Sequence, residues 1–236
     1  MTLADYIKEA KRLDLDAAHI RALENASMRV RVENMTYEEW KAKYVKPKDD
    51  EWLQAKRRSM VYYNRAVDNE PLISGVVKKV SADNQMELAG WDFRIKGKES
   101  YMRKIQNRYE NGQTDYRSSD IVRYTMVTGG DTLVSKLKRV IKGLAALGYE
   151  TIEVNNFWLD TLNPYNVINT VVKAPTGQRF ELQYHTPESL EMKEKIHVLY
   201  EKWRVLEKAS PEAKKIQSDR FCLAEGLNPP DDIEEV

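Results

Sequence analysis

The stretch Arg179-Phe180-Glu181-Leu182-Gln183-Tyr184-His185-Thr186 alternates residue by residue. In an extended strand Phe180, Leu182 and Tyr184 share one face, and Glu181, Gln183 and His185 share the other. Pro175-Thr176-Gly177, just upstream, reads as the turn of a hairpin spanning 167–174 and 178–185. Thr186-Pro187-Glu188, just downstream, reads as a helix start with Thr at N-cap and Pro at the first helical position. A hairpin is antiparallel, so the sheet it joins is at least partly antiparallel. A carboxylate on a rigid strand ahead of a helix N-terminus suits a metal held over a phosphate. The plainer reading of the Glu181 face is a solvated strand surface.

Working outward, Met86–Lys96 also alternates, with Ala89, Trp91, Phe93 and Ile95 on one face. A helix is predicted from Glu99 to about Tyr109, then a polar loop over 110–119 and a strand over Asp120–Val127. Asp131-Thr132 precedes a helix with the stripe Leu133, Leu137, Val140, Ile141, Leu144 and Leu147, closed by Gly148. A strand over Tyr149–Val154, the hairpin and a helix from Pro187 to about Lys208 follow. The order β-α-β-α-β-β-β-α gives an α/β (α+β) fold, a mixed and partly antiparallel sheet flanked by helices. Residues 1–70 read as a charged helical extension, with helices over Leu3–Met35 and Glu51–Val67 and a break at Pro47-Lys48-Asp49-Asp50. Residues 71–80 suggest a short further helix, and the segment after Ser210 reads as a loosely ordered tail. The expected division is 1–70, 71–208 and 209–236.

Composition excludes several classes. Lys+Arg 38 nearly cancels Asp+Glu 37, so global charge does not mark a nucleic-acid binder. The single cysteine, Cys222, excludes an internal disulfide framework and a cysteine zinc cluster. Met1-Thr2-Leu3-Ala4-Asp5 lacks the basic and apolar regions of a signal peptide, and no apolar run approaches membrane-spanning length. The expectation is a cytoplasmic protein with no membrane contact, or one delivered to a target-cell cytoplasm without a signal peptide.

Candidate chemistry gathers at a few places. Arg94 and Lys96 share a strand face, and Ser100, Arg103 and Lys104 share a helical face just beyond. Cations at a strand-to-helix junction, with its orphan N–H groups, suit a polyphosphate. Lys/Arg clusters on helix surfaces are also common as solvated faces. Asp120 opens its strand and can share Mg²⁺ with Glu181 if the two strands are neighbours; otherwise it is a turn residue. Tyr165, after Asn163-Pro164, offers a ring for a nucleobase, as does Trp158. Glu194, His197, Glu201 and Arg204 share the polar face of the last helix, where a salt-bridged solvent face is the default. The histidine spacing matches no zinc motif, and there is no Gly-x-Ser-x-Gly elbow.

Taken in order, Arg94-x-Lys96-x-x-x-Ser100-x-x-x-Lys104, Asp120, Asn163-Pro164-Tyr165, Phe180-Glu-Leu-Gln-x-x-Thr186 and His197 resemble the synthetase domain of RelA/SpoT-type alarmone synthetases. The resemblance covers roughly residues 70–207 and looks like the divergent branch of phage-associated and secreted toxin proteins. It implies a nucleotidyltransferase-like fold and transfer of pyrophosphate from ATP to the 3′-hydroxyl of a purine nucleotide, with Mg²⁺. By resemblance, Arg94, Lys96, Ser100, Lys104 and Arg123 hold ATP. Asp120 and Glu181 bind the metal, and Glu181 helps deprotonate the attacking hydroxyl. Tyr165, Gln183, His185, Glu194 and His197 belong to the acceptor side. Pro164, Thr125, His185 and Ile196 stand where the family has Gly, Arg, Arg and often Glu, so the acceptor stays open among guanosine and adenosine nucleotides and a tRNA 3′ end. No His-Asp dipeptide of the family's hydrolase domain is present. A synthesis-only enzyme implies a growth-inhibiting toxin or effector, with an immunity protein or host partner docking on residues 1–70. A catalytically inactive nucleotide-binding module is the rival reading.

Overall fold

The computed structural model describes residues 36, 38, 39, 42, 47–113, 115, 117–160, 163–207 and 209–236. The helix expected over Leu3–Met35 lies outside them. Among the described residues are five α-helices and one five-stranded sheet: α1 (Pro47–Asp83), β1 (Glu87–Ala89), α2 (Lys98–Glu110), β2 (Arg123–Val127), α3 (Leu133–Ala146), β3 (Glu150–Asn156), β4 (Ile168–Lys173), β5 (Arg179–His185), α4 (Pro187–Trp203) and α5 (Pro211–Ala224). None of the helices is long and apolar enough to cross a membrane.

The chain forms two compact units. The first takes in residues up to Tyr62 and Glu99–Arg117. In it, Leu53, Ala55, Tyr101 and Ile105 are buried, Tyr101 donates to the Ser59 carbonyl (3.2 Å), and Trp52 lies against Tyr109. The second takes in Tyr63–Lys98 and Ser118–Val236 and contains the whole sheet.

The sheet order is β1-β2-β5-β4-β3. β2 and β5 run parallel, and every other pairing is antiparallel. The hairpin forms as expected, with Ile168 opposite Tyr184 and Lys173 opposite Arg179. Its turn needs Gly177, at φ 80°, a conformation that L side chains rarely adopt. Phe180, Leu182 and Tyr184 are fully buried, and Tyr124 and Tyr149 meet Phe180 edge-on. On this face the α1 residue Ser74 reaches the Tyr124 hydroxyl. The opposite face of β5 is not a solvated surface: Gln183 and His185 are buried, because α4 lies across it.

Several boundaries differ from expectation, the end of α4 at Trp203 rather than about Lys208 among them. α1 absorbs both the Pro47-Lys48-Asp49-Asp50 segment and residues 71–80, continuing through Pro71. An internal proline costs a helix about 3 kcal/mol, and the burial of Ile73, Val77 and Val80, one stripe of that helix, offsets it. β1 stops at Ala89 because Gly90 turns left-handed (φ 61°), after which Trp91–Phe93 forms a 3₁₀ turn and only Ile95 bridges to Val122. Phe93 leaves the expected apolar face and is 79% exposed. Asp120 sits in a 3₁₀ turn over Ser119–Ile121, ahead of β2 rather than in it.

The segment after Ser210 is not a loose tail. Ser210 caps α5, accepting from the Ala213 N–H. Beyond it Pro230 and Ile233 are buried, and Asn156 Nδ2 donates to the Ile233 carbonyl (2.8 Å).

Candidate active site

β2 and β5 place their polar residues side by side. Arg123 lies opposite Glu181, Thr125 opposite Gln183, and, across the other edge of β5, Asn169 opposite Gln183. The Glu181 N–H bonds to the Val122 carbonyl (3.0 Å), which sets the strand just downstream of Asp120 against Glu181. The strand adjacency that the sequence left open is therefore present. α4 starts at Thr186, whose side chain accepts from the Ser189 N–H while Ser189 Oγ accepts from the Thr186 N–H. This reciprocal cap fixes the angle at which α4 leaves β5.

Between α4 and this sheet face opens a cleft of about 680 Å³, within the size range of small-molecule sites. Asp120, Arg123, Tyr165, Glu181, Gln183, Glu194 and His197 all line it. So do four residues that the sequence reading did not single out for chemistry: Phe93, Lys193, Tyr200 and Arg220.

Hydrogen bonds order the floor. Lys193 Nζ donates to Gln183 Oε1 (2.8 Å), and Gln183 Nε2 donates to Glu181 Oε1 (2.7 Å). A lysine only donates, so it fixes the Gln183 amide with its NH₂ toward the carboxylate. Burial, then the nearby Arg123 charge, pushes the Lys193 ammonium down to about 8. Lys96 Nζ pairs with Asp120 Oδ2 (3.1 Å), and Ser118 Oγ donates to Asp120 Oδ1. The Lys96 N–H to Ile121 carbonyl and Arg123 N–H to Arg94 carbonyl bonds, both 2.8 Å, lash this segment to the start of β2.

Arg94 points elsewhere. Its Nε donates to Glu70 Oε1 (2.7 Å), its Nη1 to the Trp91 carbonyl (2.9 Å), and its guanidinium lies over the Trp91 ring. Burial works to raise the Glu70 carboxyl, but hydrogen bonds from Ser74 and Arg94 hold it below the usual range. Glu70 in α1 carries no sequence signal of this role. Ser100 and Lys104 lie on α2 in the first unit, Ser100 exposed and Lys104 half-buried. They are not among the residues lining the cleft.

His185 sits behind the cleft wall rather than on it. It is fully buried, its Nδ1 lies 2.8 Å from Ser189 Oγ, and the Tyr165 ring meets it edge-on. Burial, then the Lys193 and Arg123 charges, pushes its imidazole down to about 3, so it is neutral. Tyr165 is wedged between His185 and Phe157, and burial followed by the Glu181 charge raises its phenol. Trp158 does not line the cleft, and Glu201 and Arg204 form a salt bridge of 3.0 Å on α4 and its C-terminal turn.

No protein-family model matches the sequence. Among curated proteins, the chain is 29% identical over 148 residues to the (p)ppApp synthetase toxin Tas1 of Pseudomonas aeruginosa (strain UCBPP-PA14). That match covers 52% of this chain and 32% of the relative, so the chain spans about a third of the length of the curated protein it matches. Among solved structures, it is similar to the Type VI effector Tas1 in its complex with an immunity protein, with a TM-score of 0.50 and 24% identity over 70% of this chain and 94% of that one. The small alarmone synthetase 1 of Bacillus subtilis, bound to its product pppGpp, gives a TM-score of 0.48 and 16% identity over 73% of this chain and 90% of that one. In sequence and in fold the chain is thus similar to a (p)ppApp synthetase toxin, as its motif order, read as the toxin branch of the RelA/SpoT-type alarmone synthetases, led one to expect.

Proposed function

We propose that the chain is an ATP-dependent pyrophosphokinase that acts as a growth-inhibiting toxin or effector. The observation that carries this reading is the pair Asp120 and Glu181. They come from neighbouring elements, line one cleft, and have Lys96, Arg123 and Lys193 beside them. In the proposed reaction the 3′-oxygen of the acceptor attacks the β-phosphorus of ATP. The bond from that phosphorus to the bridging oxygen of the α-phosphate breaks, AMP leaves, and the hydroxyl proton passes to Glu181. Such a transfer needs positioning and charge neutralisation more than covalent help.

The donor set fits magnesium. Among the described residues no cluster of three or more metal-ligating side chains exists. Two carboxylates in one cleft are what Mg²⁺ takes from a protein when phosphates fill its other positions. Asp120 and Glu181 would hold the ion, which when bound supplies positive charge against the phosphates. Lys96 and Arg123 add fixed cations on the donor side, and Gln183, held by Lys193, orients the Glu181 carboxylate.

The name of the related toxin supports an adenosine acceptor, and its structure with an immunity protein supports a protein partner of that kind here. The test is to incubate purified protein with ATP, Mg²⁺ and, separately, GDP, GTP, ADP, AMP or tRNA, and to identify products by mass spectrometry. AMP and a 3′-pyrophosphorylated adenosine nucleotide are expected. Asp120→Asn and Glu181→Gln each lower the rate at least about a hundredfold with an unchanged circular-dichroism spectrum. ATP binding without turnover on any acceptor would overturn the reading in favour of an inactive binding module.

A further inference from the structure

We propose that Arg220, on the C-terminal helix α5, is a phosphate-recognising residue of the cleft and takes the 5′-phosphate of a nucleotide bound there. The segment that carries it has no motif of its own, yet α5 packs on α4 and brings this one cation to the cleft wall.

The argument starts from burial and charge. Arg220 is only 8% exposed. Its guanidinium lies over two rings of α4, 5.2 Å from the centroid of Tyr200 and 5.3 Å from that of Trp203. Nη1 donates to Gln217 Oε1 (2.7 Å), while Nε is enclosed without any hydrogen-bond partner. Among the described residues no carboxylate pairs with it. The acidic residues lining the cleft are Asp120, Glu181 and Glu194, and Arg220 bridges to none of them. A buried guanidinium without a counter-ion is costly, and ring faces compensate it only in part. An arginine whose fork is held by aromatic rings at a cleft wall is pre-organised for an oxyanion, and phosphate is the anion its planar donors match best. His197, stacked on Tyr200 and lining the same cleft, places a further polar group beside it. A phosphate there gives the guanidinium its missing charge partner, and a small turn of the side chain gives Nε its missing acceptor.

This inference deepens the proposed function, since it assigns an end of the nucleotide within that cleft, but its test reads binding alone. Calorimetric titrations compare adenosine with AMP, which differ by the 5′-phosphate. The native chain is expected to bind AMP at least about tenfold more tightly, as charge-assisted hydrogen bonds to phosphate imply. Arg220→Met, which keeps much of the apolar stem over the rings, is expected to lose that preference while its adenosine affinity moves less than twofold. Arg220→Lys retains part of it. If Arg220→Met keeps the preference, or weakens both ligands equally, the assignment fails. A second readout uses the native chain. The Arg220 Nε–H resonance, identified as the signal missing from Arg220→Lys, shifts on addition of AMP and not of adenosine; no shift with AMP overturns the proposal. A preference lost with Arg220 in a protein that makes no product keeps this subsite and removes the pyrophosphokinase reading. Turnover with no such preference does the reverse.

Discussion

His185 has the surroundings least suited to a charge. It is enclosed, its Nε2 has no partner, and its proton affinity is pushed down to about 3. As pH falls below about 6.5, the histidine of the unfolded chain takes up a proton that the folded chain refuses. The unfolded state then binds more protons, so stability drops on acidification, by at most about 1.4 kcal/mol per pH unit from this group. Urea midpoints measured between pH 7 and 4 should fall less steeply in His185→Gln than in the native chain; parallel slopes would refute this. Lys193 runs the other way. Its ammonium, pushed down to about 8, is lost as pH rises, and with it the positive charge beside Gln183 and Glu181. The alkaline limb of the proposed activity should therefore centre near pH 8 and move upward in Lys193→Arg, which stays charged. The sequence could not show Lys193, because a lysine on a charged helix reads as a solvated face. Only its position across from Gln183 gives it a role. His185 was legible as a residue of the polar strand face, but which residues of that face are covered depends on the helix laid over it.

At the scale of elements, local chemistry was legible where it was complete in sequence. The β4–β5 hairpin and the start of α4 follow from Pro175-Thr176-Gly177 and Thr186-Pro187-Glu188, and both form as the spacing predicts. Thr186→Ala removes half of the reciprocal cap and should cost about 1 kcal/mol in equilibrium unfolding; no loss would mean that packing alone sets the angle of α4. The same signal stands at Ser210-Pro211-Glu212, where it opens α5, although the proline reads there as the start of a loose tail. Pro71 misleads in the opposite sense, since a buried stripe carries α1 through it. β1 is shorter than its alternation because the left-handed Gly90 ends it, and alternation cannot report a backbone turn. Basic residues on α2 look like one cradle with Arg94 and Lys96 in sequence, yet Arg94 is turned to Glu70 in the fold.

At the scale of the whole sequence, the decisive fact is a pairing that no local pattern encodes. β5 enters the sheet beside β2, separated from it in sequence by α3, β3 and β4, so Glu181 arrives next to the segment that follows Asp120. A parallel pair requires such a long crossover, and its partner is settled by burial of the whole sheet rather than by either strand. The C-terminal segment is held by similarly distant contacts. The Asp231 N–H bonds to the Gly130 carbonyl (3.2 Å), Asn156 Nδ2 holds the Ile233 carbonyl, and Lys138 pairs with Glu235 (2.6 Å). The exposed Lys138–Glu235 pair contributes little, so Ile233, 6% exposed amid Asp231, Asp232, Glu234 and Glu235, is the anchor. If that segment is part of the folded unit rather than an appendage, Ile233→Ala should lower unfolding stability by about 2–4 kcal/mol. Its urea transition, followed by tryptophan fluorescence and by circular dichroism, should shift as one step. An unchanged midpoint would show that the segment rests on the sheet without supporting it.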